Sequence, residues 1–177
     1  MKELSEIEDV TFEPFNDLLE QFEEMLNEVF QRSHESEFQI PSRVGEELDR
    51  CRDMSDILGA VKTSVLNTLG ETRSDIVLGF QDLPLQVGAY HPVGSEWIVM
   101  NRRLLNAAWN HLGAGKEMNS YIFSIMLHEY LHSLGYLNEY QVRQLVYEIS
   151  RQTFGDDHPA TRFARYGPWK GLSNSAN

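Results

Sequence analysis

His128-Glu129-Tyr130-Leu131-His132 is the segment of this 177-residue chain whose residue types and spacing can do chemistry. Two histidines four residues apart on a helix project from one face, so their imidazoles can share one metal ion. Neutral ring nitrogens suit zinc, which takes N and O ligands at the corners of a tetrahedron. Glu129 is turned about 100° from His128 around such a helix. It therefore stands beside the metal without having to bind it, as a general base must. Zinc lowers the pKa of a bound water towards ~7; a neighbouring carboxylate can then take the proton while a peptide carbonyl is attacked. The five residues follow the apolar run Tyr121–Leu127 and precede Gly135, which reads as a helix stop.

The run His128-Glu129-Tyr130-Leu131-His132-Ser133-Leu134-Gly135 resembles the zincin metallopeptidases. The likeness extends upstream, where the residues from Ala89-Tyr90-His91 through Trp97-Ile98-Val99-Met100 to Leu105 look like the zincin edge strand and the helix after it. It covers roughly residues 75 to 158 and does not extend to the first 70 residues. The resemblance implies an α+β, zincin-like fold: a small antiparallel or mixed sheet, an active-site helix and N-terminal helices. It implies a zinc metallopeptidase that hydrolyses peptide bonds through a zinc-activated water, with His128 and His132 as metal ligands and Glu129 as general base. It also implies a peptide or protein substrate bound along the strand Glu96–Met100, where main-chain hydrogen bonds give affinity without demanding a particular sequence.

A third metal ligand is needed, and several residues compete for the role. Metzincins place a further histidine where this chain has Asn138, and no methionine follows Met126 to make their Met-turn, so the likeness is nearer to the gluzincins. In that branch the third ligand is a glutamate on a following helix. Glu139 lies about 60° from the apolar stripe Val142, Val146 and Ile149 and can face inward. Glu148 lies about twice as far round and reads as solvent-facing. His158, in Gly155-Asp156-Asp157-His158-Pro159, is the alternative, since a turn can bring a histidine back onto the site. Tyr136, Tyr140 and Tyr166 are hydroxyls that could serve a tetrahedral oxyanion, although packed aromatics explain them as well. Arg143, one turn beyond Glu139, can orient it or stand as an ordinary surface charge. His91 sits at a turn beside the expected strand, and His34 and His111 read as surface residues.

The elements that must position these groups are legible in the hydrophobic period. Phe12, Phe15, Leu18, Leu19, Phe22, Met25, Leu26, Val29 and Phe30 recur at helical steps. Further helices are expected from Val44 to Met54 and from Ser55 to a stop at Gly70. The period then changes, and Asp75–Phe80, Leu85–Tyr90 and Glu96–Met100 read as strands. Asn101 caps a helix through Trp109, and Asn138, with Gln141 three residues on, caps another to about Phe154. The expected organisation is one domain over residues 1–177: a helical part over 1–70, a catalytic core over 75–158, and an irregular tail over 159–177.

Composition narrows the function classes. The formal net charge of −12 opposes general nucleic-acid binding and adhesion to anionic membranes. No apolar run approaches the ~20 residues of a membrane span, and Met1–Glu6 lacks a secretory signal pattern. A lone cysteine, Cys51, permits no internal disulfide and suits the cytoplasm, where it reads as a small core residue. Zinc is the expected cofactor. The alternative reading is a non-catalytic, zinc-containing binding module on the same scaffold; a closed structural zinc site with a fourth protein ligand is a third.

Overall fold

The computed structural model describes residues 43–174. The chain divides into two units after Phe38, and the described residues all lie in the second, Gln39–Asn177. The helix expected over Phe12–Phe30, and His34, lie outside them.

Helix α1 (Arg43–Asp49) is shorter than the Val44–Met54 stretch read from the sequence. Asp53 starts a new helix, accepting hydrogen bonds from the amides of Ser55 and Asp56, so α2 runs Met54–Leu69. It stops at Gly70, whose φ of 72° is the left-handed cap that glycine adopts without a Cβ penalty. Strands β1 (Val77–Gln81), β2 (Ala89–Tyr90) and β3 (Trp97–Asn101) follow, and helix α3 (Arg102–Leu112) leaves directly from β3. Helices α4 (Lys116–Ser133), α5 (Glu139–Phe154) and α6 (Pro159–Asn174) complete the described chain.

The sheet is mixed, in the order β1-β3-β2. β1 runs parallel to β3 with Gly79 opposite Val99, and β2 runs antiparallel with Tyr90 opposite Val99. β3 is therefore the central strand. Gly79 lets Trp97 lie across the outer face, since a Cβ there would meet its ring at 3.2 Å. The stretch expected to form a strand from Leu85 pairs only at Ala89 and Tyr90. A buried amide accounts for the rest: Asn101 Oδ1 accepts from the Leu83 amide, and Nδ2 donates to the carbonyls of Leu83, Pro84 and Val87. The loop before β2 is thus tied to a side chain rather than to a neighbouring strand.

The architecture is α+β, with six described helices and a small mixed sheet. Helix α4 is its centre. Every residue from Met118 to Leu127 is buried, so beyond Lys116 and Glu117 α4 shows no solvent face until its last turns. Leu48, Val61, Val65, Ile98, Met100, Val142, Ile149 and Phe163 surround it in one core. Burying each such side chain contributes about 1.5–3 kcal/mol. Residues 159–174, expected to be irregular, are helical with a break at Gly167 (φ 75°). Gly167 and Pro168 obscured a helical stripe of Ala160, Phe163 and Ala164, the first two fully buried. Among the described residues no helix is long and apolar enough to cross a membrane.

Candidate metal centre

The last turns of α4 are where the core helix meets solvent. His128 and His132 emerge there with side chains 24% and 14% exposed. The helix closes through Gly135, whose φ of 99° is open to glycine. The Tyr136 amide donates to the Leu131 carbonyl and the Gly135 amide to the His132 carbonyl, the bond pattern of a Schellman turn. That reversal has two consequences for the site. It returns the Tyr136 carbonyl to His132, where it accepts a 2.8 Å hydrogen bond from Nδ1. A carbonyl can only accept, so Nδ1 carries the proton and Nε2 keeps its lone pair. It also delivers Asn138, which accepts from the Gln141 amide and starts α5 with Glu139 as its first residue.

Glu139 thereby faces the two imidazoles. Its Oε2 lies 3.2 Å from His128 Nε2, its Oε1 lies 3.1 Å from His132 Nε2, and the two Nε2 atoms are 3.1 Å apart. A zinc ion with bonds of about 2.0–2.1 Å separates its tetrahedral ligands by about 3.3 Å. The two Nε2 atoms stand close to that spacing, and each faces its own Glu139 oxygen. With one ligand atom taken from each residue the three lie within 4.8 Å of one another, a donor set of the type zinc takes. Among the described residues His128, His132 and Glu139 form the one such group of His, Cys, Asp or Glu, with no fourth side chain in it.

The electrostatics agree with that use. Burial pushes His128 down to about 4; the Glu139 carboxylate opposes the shift, while His132 and Arg143 add to it. The ring is neutral at pH 7, the form that binds metal. Glu129 is 8% exposed. Burial pushes its carboxyl up to about 7, partly offset by His132, while Glu139 adds to the rise and the His91 backbone amide holds it down. A carboxyl poised near neutral pH beside a candidate metal-binding group suits proton transfer.

The other candidates fall elsewhere. His158 takes no part in the triangle. It is buried; its Nε2 donates to Asp49 Oδ1 at 3.1 Å, and its Nδ1 accepts from the Ala160 amide. Its ring stacks on Phe154, and its carbonyl receives the first amides of α6, so its work is to start that helix. Glu148 is exposed and accepts from Gln152. The Tyr136 hydroxyl donates to Glu71, which holds it out of the site; that of Tyr140 accepts from Gln144, and Tyr166 is exposed. His111 is exposed, as expected. Cys51 donates to the Glu47 carbonyl, and burial together with surrounding carboxylates pushes its thiol up to about 11. A thiol so shifted stays protonated at neutral pH, in keeping with a packing role.

Strand Glu96–Met100, the expected substrate partner, is flanked on both sides in the sheet. Val77–Gln81 pair along one edge and Ala89–Tyr90 occupy part of the other, and the Trp97 carbonyl already accepts from His91 Nδ1. The edge beside α4 belongs to β2. Two positioning groups left no mark in the sequence. The Tyr130 hydroxyl, one residue from Glu129, accepts from the Arg73 amide and donates to the Arg73 carbonyl. The Arg73 guanidinium in turn donates to the carbonyls of Ser133 and Ser95 and to Asp75, tying the end of α4 to the start of β3. No protein-family model, curated protein or solved structure matches this chain.

Proposed function

We propose that this protein is a zinc-dependent peptidase with a zincin-like, gluzincin-type centre. The observation that carries the reading is the triangle of His128 Nε2, His132 Nε2 and Glu139 at 3.1–3.2 Å, with the buried Glu129 carboxylate on the same helix. His128, His132 and Glu139 would hold the ion, and its fourth position would remain open to solvent and substrate. Bound there, zinc supplies a lowered water pKa and polarises a carbonyl oxygen. Glu129 would act as the general base, taking a proton from a water held there and returning it to the departing amine. His132 is held in its ligating tautomer by Tyr136. The edge of β2, rather than β3, receives an extended substrate, and the His91 amide at its end steadies Glu129.

The test is cleavage of a peptide library by the zinc-loaded full-length chain, by the same protein after chelation, and by Glu129→Gln. Cleavage that requires both metal and Glu129 supports the reading. Tight zinc binding with no cleavage by the intact chain would instead make it a metal-containing binding module.

A further inference from the structure

Helix α5 places Arg143 one turn beyond Glu139, and residues four apart on a helix are surface neighbours. Glu139 does not pair with it, because both of its carboxylate oxygens are turned to the histidines. Arg143 is exposed, and among the described residues it makes no hydrogen bond or ion pair. Arg50, Arg73, Arg102 and Arg162 each pair with a carboxylate, whereas Arg52, Arg103 and Arg151, like Arg143, show no such pair among the described residues; what sets Arg143 apart is its place one turn from Glu139. In a chain with 27 acidic and 15 basic residues, a guanidinium left open beside a metal triangle is an unused anion receptor.

We propose that Arg143 binds a carboxylate of the substrate, so that the enzyme selects peptides with a free C-terminus or an acidic side chain close to the scissile bond. The guanidinium presents parallel N–H donors that match a carboxylate's two oxygens, which a neutral amide cannot replicate. Substrate affinity, not the proton transfer at Glu129, is what this contact changes. The inference rests on the peptidase reading and adds a substrate class to it.

The test uses the zinc-loaded full-length Glu129→Gln protein, with binding measured by calorimetry. One pair of probes is a short acetylated alanine–leucine peptide as the free acid and as the C-terminal amide. A second pair is a longer amidated peptide carrying one internal glutamate or glutamine. The acid of at least one pair binds about tenfold more tightly than its neutral twin, and which pair does so identifies the carboxylate's source. Arg143→Ala in the same background erases the preference and Arg143→Lys keeps part of it. In the intact enzyme Arg143→Ala raises KM for the acidic peptide with little change in kcat. Equal binding within both pairs, or a preference that survives Arg143→Ala, overturns the assignment while leaving a peptidase in place. Failure of every peptide to bind and to be cleaved removes the peptidase reading as well.

Discussion

His132 Nδ1 lies 2.8 Å from the carbonyl oxygen of Tyr136, four residues further along the chain. The contact crosses the Gly135 turn, so the residue that ends the helix also sets the tautomer of a candidate metal ligand and the approach of Glu139. Replacing Gly135 by alanine strains a φ of 99° and displaces that carbonyl. Zinc affinity of Gly135→Ala is expected to fall about 10–100-fold, the usual effect of losing an outer-shell partner, in a zinc-chelator competition titration. Unchanged affinity would mean that the turn does not govern the ligand.

If zinc binds the folded chain at this centre, it is expected to raise stability by about 3 kcal/mol at a free concentration a hundred times Kd. Thermal melts with and without zinc are expected to separate for the wild type and for His158→Ala. They should coincide for His128→Ala, His132→Ala and Glu139→Ala. A zinc-dependent shift that survives Glu139→Ala but disappears in His158→Ala would reverse the choice of third ligand.

Glu129 opposes folding at neutral pH in the metal-free protein. Its folded pKa of about 7 stands above the ordinary 4.5, so the folded state holds the proton more tightly than the unfolded one. The resulting favourable contribution is complete below pH 4.5 and is lost as pH rises through 7. Glutamine keeps an acceptor for the His91 amide and carries no charge. Metal-free Glu129→Gln is thus expected to exceed wild type by about 2–3 kcal/mol at pH 8 and to match it near pH 4.5, read by urea unfolding. A gain independent of pH would point away from carboxylate burial.

Tyr130→Phe removes the hydroxyl that serves both the amide and the carbonyl of Arg73. The ring packing survives, and the cost is that of stranding a partly buried amide, about 1–3 kcal/mol. Denaturant melts at fixed pH measure it, and a loss below ~0.5 kcal/mol would show that water replaces the hydroxyl freely.

Asn101 reads from the sequence as a helix cap, and the cap is present, with Oδ1 accepting from the Arg103 amide. Its larger task is the loop before β2. Asn101→Asp retains the cap but turns an oxygen towards three carbonyls, so at pH 7 it is expected to cost more than Asn101→Ala, whose own cost is about 2 kcal/mol or more. Equal melting of the two variants would contradict the geometry.

These cases show where the sequence was informative. The spacing of His128 and His132 fixed a shared face, because helix geometry is local and the run before it is apolar throughout. Gly70, Asn101 and Asn138 marked real helix ends, since a cap needs only a short side chain and a nearby amide. Glu139 and His158 could not be separated in advance, because both follow turns and only tertiary packing decides which turn folds back. His158 went to Asp49, a partner 109 residues away that no local pattern announces. β3 read as a strand from its apolar run, but its central place, with β1 along one edge and β2 along part of the other, depends on long-range pairing that the run does not announce. The Arg73–Tyr130 contact is also long-range and partly main chain, so composition and period are silent about it.

The central claim is that zinc sits between His128, His132 and Glu139 with one position left to solvent. An anomalous-difference map at the zinc edge, from crystals of the zinc-loaded full-length protein, tests it most directly. The account predicts one strong peak with ligand distances of about 2.0–2.2 Å to His128 Nε2, His132 Nε2 and a Glu139 oxygen, and a solvent ligand in the fourth place. A peak away from this triangle, or a fourth protein ligand closing the tetrahedron, would contradict it.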